Sequence, residues 1–459
     1  MQAVLSNIYN HTRGDFLKKI LTIALPITLQ NIMFSSKGLV DVMMLGQLTE
    51  TDIAAVGVAS KILFVATIML IGITTGGGLL TAQYWGAKDN KGLQESTTLS
   101  LLFTLIAALT TILVFNLFAN QIMGLATHSK DVITLGSQYL VITSFSLLFA
   151  AIVSSLSASL RSMQQPGVCT FFSGISISTN ILLNWLLIFG KFGLPELGIK
   201  GAAIATLISS IVEMACLLLY LYFKRHLLLF SFTTGLSACQ SRKIIRFLKL
   251  SIPTTFNFLL WSAGLFAYHA IMGSTGTQGL VALSVITPIE AMSLSFLVGV
   301  ANASSVLIGN QLGAKNYTAA YYQAIIFIAI AVTVTVIVSC TLYLNQTAIL
   351  DQFSAITADT RELAEQFFAI LCIGIVLRSV PTTLVVGVLR AGGDVKFCLY
   401  QDMLTQWAFG IPLTAIGAFL LGFTPEWVFA MFFLETLFKW YASVQRFRSR
   451  KWIRNLVEE

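Results

Sequence analysis

The chain is 459 residues long, 56% hydrophobic and only 10% charged, with a mean hydropathy of +0.82, whereas a soluble domain carries roughly 25% charged residues. A water-soluble globular protein is therefore excluded. A disordered or fibrous chain is excluded too, because 33 Gly and 33 Phe are spread along the whole length and suit close helix packing in lipid. The net charge of +8 fits inner loops that face an anionic leaflet and calls for no nucleic acid. Cys169, Cys216, Cys239, Cys340, Cys372 and Cys398 form no close pair in sequence, so neither a disulfide framework nor a zinc site is suggested.

The segment Met1 to Lys19 is polar, carries Arg13, Lys18 and Lys19, and has no small-residue cleavage pattern; it does not read as a cleaved signal peptide. A helix needs about 20 mostly apolar residues to cross the hydrocarbon. Windows of that size predict twelve spans, at 16–45, 53–82, 97–119, 133–160, 168–190, 198–222, 247–272, 280–309, 319–344, 363–390, 397–421 and 425–445. Of the 28 Lys and Arg, alternation from a cytoplasmic start leaves Lys130, Lys191, Lys200 and Arg361 outside and Lys37, Lys61, Arg378 and Lys439 in or at the rim of spans, with the other twenty on the inner face. The positive-inside rule then expects both termini in the cytoplasm.

Sliding the chain against itself by 227 positions superposes Pro26 on Pro253, Gly46 on Gly273, Gly72 on Gly299 and Gly86-Ala87-Lys88 on Gly313-Ala314-Lys315, with Lys19 on Arg246. Further along, Arg161 answers Arg390 and Pro195-Glu196 answers Pro425-Glu426, at shifts of 229 and 230. The common register makes the halves homologous. Six spans per half is an even number, so both halves start on the same side, which makes the repeat parallel about an axis along the membrane normal. The expected fold is all-α and integral to the membrane, with twelve transmembrane helices in two six-helix bundles related by a parallel pseudo-two-fold repeat. Residues 1–230 form the N-lobe, 231–246 a cytoplasmic linker and 247–459 the C-lobe with a basic tail. At the level of fold this is the architecture of an alternating-access carrier, against which stand a channel and a membrane-embedded enzyme.

Ionisable residues inside spans are costly and by default functional. Here they are Lys37, Asp41, Lys61, Glu213, His269, Glu290, Arg378, Asp402, Glu435 and Lys439. Glu435 and Lys439 are one turn apart and can neutralise each other while snorkelling; Asp402 fits an interfacial place as well as a functional one. Asp41 lies about 8 Å below the outer end of span 1, counting 1.5 Å per residue. By the same count Asn184, Tyr139 and Thr206 reach a similar depth, and Asn180 shares the face of Asn184 one turn deeper. A carboxylate, two carboxamides, a hydroxyl and a phenol are thus expected to converge as a proton or cation site. A carboxylate among packed helices loses the hydration of its charge, so it can bind and release a proton, and its oxygen neighbours are of the hard type a small cation requires. The other reading is a static ion pair between Asp41 and Lys37, one turn earlier, which would weaken a proton switch.

Tyr268 stands at the position equivalent to Asp41, and Trp261 answers Phe34, so coupling chemistry is expected in the first lobe. In the second, Glu290 and Arg378 either line a cleft and meet charged substrate or pair with each other. Pro26 and Pro253 each remove a helix hydrogen bond, leaving a bend that either moves with the protonation of Asp41 or is set by packing. Gly76-Gly77-Gly78 lacks the Lys-Ser/Thr of a phosphate loop and reads as close helix contact. No metal cluster or nucleophile-base constellation stands out, so the chain is not expected to be an enzyme or to hold a cofactor.

Over essentially its full length the chain resembles the multidrug and toxic compound extrusion (MATE) transporters. The segments that carry the likeness are Leu39-Val40-Asp41 with Gly46, Gln83 to Lys88, and Asn180-Ile-Leu-Leu-Asn184-Trp185 continuing through Gly190, Gly193-Leu-Pro195-Glu196-Leu-Gly198 to Gly201-Ala-Ala-Ile-Ala-Thr206. The resemblance implies efflux of amphipathic, often cationic, drugs in exchange for protons or sodium ions, with the span 1 aspartate central to coupling. NorM-like members have acidic residues in spans 7 and 10, where this chain has Trp261 and Ser379, which points toward the DinF-like branch. Some relatives carry an aspartate where Asn184 stands; with at most one carboxylate, a sodium site is weakened more than a proton site.

The expectation is a proton-coupled multidrug antiporter acting through Asp41, with sodium coupling, or a lipid-linked oligosaccharide flippase of the wider superfamily, as alternatives. A flippase for a pyrophosphate head group calls for several cleft arginines, and only Arg378 lies well inside a span. The expected partners are drug-like small molecules and membrane lipid, not nucleic acid. The expected setting is a monomer in a bacterial inner membrane.

Overall fold

The computed structural model describes residues 14–229, 235, 237–352 and 357–458; His11, Arg13 and linker residues 231–234 and 236 lie outside them. Among the described residues every regular element is helical. The elements are α1 (Phe16–Leu45), α2 (Glu50–Gly86), α3 (Asn90–Gly124), α4 (Lys130–Ser144), α5 (Ser146–Ser162), α6 (Pro166–Ile188) and α7 (Ile199–Phe223). They continue as α8 (Ser241–Ser274), α9 (Thr277–Gly313), α10 (Tyr317–Leu344), α11 (Gln346–Leu350), α12 (Ala358–Thr382), α13 (Val395–Asp402), α14 (Ile411–Ala415), α15 (Pro425–Met431) and α16 (Leu434–Arg448). Three π-helical segments extend the later ones: Thr383–Leu389 after α12, Met403–Gly410 after α13 and Ile416–Leu420 after α14.

Among the described residues ten helices are long and apolar enough to cross a membrane, or eleven when α4 and α5, bent by 42°, count as one span. They coincide with the predicted windows. Window 133–160 is the bent pair, broken at Phe145, and window 425–445 is α15 followed by α16 instead of one long helix. The starts follow local chemistry. At α2, Thr49 and Asp52 satisfy each other reciprocally: the Asp52 backbone N–H donates to Thr49 Oγ1 at 3.2 Å and the Thr49 N–H to Asp52 Oδ2 at 3.4 Å, a capping box that takes up donors the helix leaves free. The Asp89 carboxylate accepts from the Gly92 N–H at 2.9 Å at the head of α3, and Pro166 and Pro425 occupy first-turn positions that need no N–H.

The chain separates into two compact units. The N-terminal unit comprises Leu29–Thr81 and Asp89–Thr255; the C-terminal unit comprises the described residues through Thr28, Ala82–Lys88, and those from Phe256 onward. These boundaries cut through α1 just past Pro26, through α8 just past Pro253, and through the end of α2, and so follow a different course from the sequence lobes. Within the N-terminal unit Leu45, Val56, Leu70, Phe115, Leu140, Leu147 and Ile188 form a continuous core. The C-terminal unit holds one core around Phe16, Ile20, Phe327, Leu384 and Trp452 and another around Met272, Ile286, Phe367, Phe368 and Phe429.

The repeat is visible in the backbone. α2 and α9 are both 37 residues long, and the equivalent residues Lys88 and Lys315 that follow them both take left-handed conformations, with φ of 59° and 62°. Within the C-terminal unit the two helix ends cross at glycine. A Cβ on Gly86 would strike the carbonyl of Asn310, and one on Gly313 would strike the carbonyl of Gln83; these are the same two positions exchanged between repeats. Gln83 is fully buried. Its Nε2 donates to the carbonyls of Ala391 at 2.8 Å and Arg454 at 3.2 Å, and its Oε1 accepts the Leu456 N–H at 2.7 Å. Lys315 pairs with Glu458 and Arg450 lies 4.4 Å over the Tyr321 ring, so the tail is fastened to the helix ends. Outside the spans, the Asp394 carboxylate accepts both the Arg446 Nε at 2.5 Å and an Nη2 at 3.0 Å, which raises the guanidinium's pKa.

Backbone approach this close leaves no room for a side chain. Gly86→Val and Gly313→Val are each expected to lower stability by about 1–3 kcal/mol through overpacking. Gly57→Ala, on α2 where an added Cβ meets nothing within 4 Å, is expected to leave it unchanged. Thermal unfolding of the three variants in detergent checks this.

Candidate functional site

Five helices of the N-terminal unit supply one polar cluster: Asp41 from α1, Ser60 from α2, Tyr139 from α4, Asn180 and Asn184 from α6, and Thr206 from α7. The spacing of Asn180 and Asn184 puts both carboxamides on one face of α6, one turn apart. Asn184 Nδ2 donates to Asp41 Oδ1 at 2.6 Å and lies 3.4 Å from Asn180 Oδ1, and Asn180 Nδ2 reaches Thr206 Oγ1 at 3.5 Å. The Tyr139 hydroxyl lies beside Ser60 and Thr206. Tyr139, Asn180 and Asn184 are all buried. A carboxylate on an apolar span is therefore met by a short hydrogen bond from a carboxamide whose own position is fixed by the next turn of α6.

One atom of the cluster has no protein partner: Asn184 Oδ1 is buried and receives no hydrogen bond. A buried acceptor left unmatched costs about 1–3 kcal/mol, so its position marks a place where a proton donor or a cation is favoured. The atoms of the cluster able to ligate a cation, on Asp41, Asn180, Asn184, Thr206 and Tyr139, are all oxygens, and among the described residues no His, Cys, Asp or Glu triad forms a metal site. Lys37, one turn before Asp41, makes no ion pair with it among the described residues.

Sequence reasoning singled out Asp41, Tyr139, Asn180, Asn184 and Thr206 by depth, and the structure brings them together. It missed Ser60, which has nothing to distinguish it from other span serines. It also missed the neighbouring chain in which Gln30 Nε2 donates to Ser173 Oγ at 2.8 Å and Ser173 donates to Glu213 Oε1 at 2.7 Å. In the C-terminal unit Glu290 and Arg378 pair with one another, and the guanidinium lies 4.6 Å over the Phe433 ring. Trp261 is 41% exposed, while Tyr268 is buried and donates to Glu435 Oε2 at 2.8 Å. Pro26 and Pro253 each lie inside a helix that continues on both sides of them.

Comparison with known proteins gives a concordant picture. The uncharacterized transporter YisQ of Bacillus subtilis is 24% identical over 455 residues, spanning 98% of both chains. The probable multidrug resistance protein NorM of Bacillus cereus is 24% identical and spans 90% of both. The crystal structure of MATE in complex with MaL6 superposes with a TM-score of 0.88 at 17% identity, covering 99% of each chain, which establishes the fold. The MatE family model matches residues 26–186 and 253–416, two blocks that open at Pro26 and Pro253, the prolines that the internal repeat superposes. The chain belongs to this family and is a MATE transporter.

Proposed function

We propose that this transporter exports amphipathic or cationic drug-like compounds by alternating access in exchange for protons carried by Asp41, from a bacterial inner membrane with both termini in the cytoplasm. The observation that supports it most is the Asp41–Asn184 contact. The ionised carboxylate accepts a hydrogen bond from Asn184 Nδ2, and the protonated acid has an O–H to donate, for which Asn184 Oδ1 is a buried acceptor without another donor. One amide thus serves both protonation states. A single group that changes charge inside a helix junction alters what that junction can hold, which is how a proton gradient is made to bias a two-state carrier. Pro26, in the lower part of the same helix, is the natural place for α1 to change its bend.

Sodium coupling is the second reading, favoured by the same unmatched oxygen and by the all-oxygen surroundings. It has one carboxylate to offset a bound charge, where hard-cation sites draw much of their affinity from the number of charged ligands. The names of relatives such as the NorM proteins support a multidrug cargo.

In proteoliposomes with proton and sodium gradients imposed separately, a fluorescent cationic dye is expected to leave under the pH gradient, and Asp41→Asn to reduce that flux by about tenfold or more. Undiminished flux in Asp41→Asn would sink the assignment. Asn184→Leu removes donor and acceptor together and is expected to impair proton-driven efflux at unchanged expression. Asn184→Asp supplies a second carboxylate and is expected to introduce sodium-driven efflux; the same sodium response in the parent chain would favour the second reading.

A further inference from the structure

Within the C-terminal unit six polar side chains form one unbroken chain. The Tyr268 hydroxyl donates to Glu435 Oε2 at 2.8 Å, and Lys439 Nζ donates to Glu435 Oε1 at 3.2 Å and lies 3.1 Å from Asp402 Oδ1. Asn257 Nδ2 donates to Asp402 Oδ2 at 2.8 Å, and Arg390 Nη2 donates to Asn257 Oδ1. Every oxygen of both carboxylates has a donor. The side chains of Asp402 and Lys439 are each 14% exposed and that of Glu435 10%, and Arg390 is buried, 5.1 Å over the Phe258 ring. The charges of Asp402 and Glu435 are balanced by those of Lys439 and Arg390. The other charged groups nearby are paired elsewhere: Arg378 with Glu290, and Asp394 with Arg446.

The backbone is shaped around this chain. Asp402 is the last residue before the π-helical segment Met403–Gly410, and Arg390 follows the π-helical segment Thr383–Leu389. At the end of the first of these, a Cβ on Gly410 would meet the Tyr268 hydroxyl and the Glu435 side chain. Local π turns in α-helices occur frequently at functional sites.

A lysine ammonium is a compact point charge with three donors. Here two carboxylate oxygens from different helices converge on it, and a carboxamide and a phenol hold those carboxylates from behind. That set of hard oxygen ligands is also what a free monovalent cation would select. We propose that Lys439 is a tethered counter-cation, its ammonium filling an oxygen cage of Asp402 and Glu435 that would otherwise take up a monovalent ion, so that the C-terminal unit contributes no exchangeable ion to transport. Only the last clause rests on the antiporter reading. The cage itself is a statement about binding.

The test uses the full-length chain with Asp41→Asn, which removes the other candidate ion site, and measures radiolabelled sodium binding at alkaline pH, where competition from protons is weak. This protein is expected to bind at background. Adding Lys439→Met is expected to raise binding to about one sodium ion per chain, and adding Asp402→Asn to that variant to return it to background. Lys439→Arg, which keeps the charge, is expected to stay at background. A folded Lys439→Met variant that gains no sodium overturns the proposal. So does sodium binding by the Asp41→Asn chain that Asp402→Asn abolishes, a comparison that needs no change at Lys439. Continued proton-driven transport by Asp41→Asn would defeat the antiporter reading and leave the cage measurement intact.

Discussion

Asp41 is tenable on α1 because Asn184 meets it. Most of the residues on these helices are apolar, and a carboxylate there without a short hydrogen bond would be strongly disfavoured. The 2.6 Å contact to Asn184 Nδ2 ties α1 to α6, and the hydrogen bond from Asn180 to Thr206 extends the tie to α7, with Tyr139 of α4 and Ser60 of α2 beside it. The polar cluster of the N-terminal unit is thus organised around one carboxylate. A change in its charge is felt first at Asn184, whose Nδ2 is shared between Asp41 Oδ1 and Asn180 Oδ1, and buried polar groups linked in this way are coupled to one another.

The two repeats share a backbone and differ in what they bury. Where the first has Asp41, the second has Tyr268, and its hydroxyl serves a carboxylate on α16 instead of one on its own helix. At these places the first repeat sets one carboxylate, Asp41, against carboxamides and hydroxyls, with Lys37 one turn away and in no ion pair with it among the described residues; the second sets Asp402 and Glu435 against Lys439 and Arg390. An acid without an ion-pair partner is free to change its protonation state, whereas a balanced set of charges resists change, because removing one member leaves another unpaired. Duplication of the fold has therefore produced two electrostatic environments on the same scaffold.

Much of this was legible in the residues. Span positions follow from a local count of apolar residues against bilayer thickness, and the structure reproduces the helix ends to within about seven residues. The breaks at Phe145 and after Met431 carry no comparable signal, because the flanking sequences are as apolar as a continuous helix would be. The Asp41 cluster was readable because depth along a helix is fixed at about 1.5 Å per residue, so residues at similar counts from an outer end meet. The C-terminal chain was not. Glu435 and Lys439 already satisfy each other at i and i+4, which conceals Asp402, and Arg390 reads as an inner-loop charge although it is buried against Phe258. The π-helical segments beside Asp402 and Arg390 also shift the helix faces that a regular 3.6-residue period would assign.

The side chain of Gln83 holds carbonyls of Ala391 and Arg454 with its amide nitrogen and the Leu456 N–H with its oxygen. Hydrolysis of that amide to a carboxylate, the slow ageing reaction of glutamine, would change one atom and turn the two donated bonds into repulsion between oxygens. Its full burial shields it from the water that reaction consumes. The tail's attachment is therefore protected by the same packing that makes it vulnerable, and the lifetime of the anchored tail is set by how seldom that corner opens.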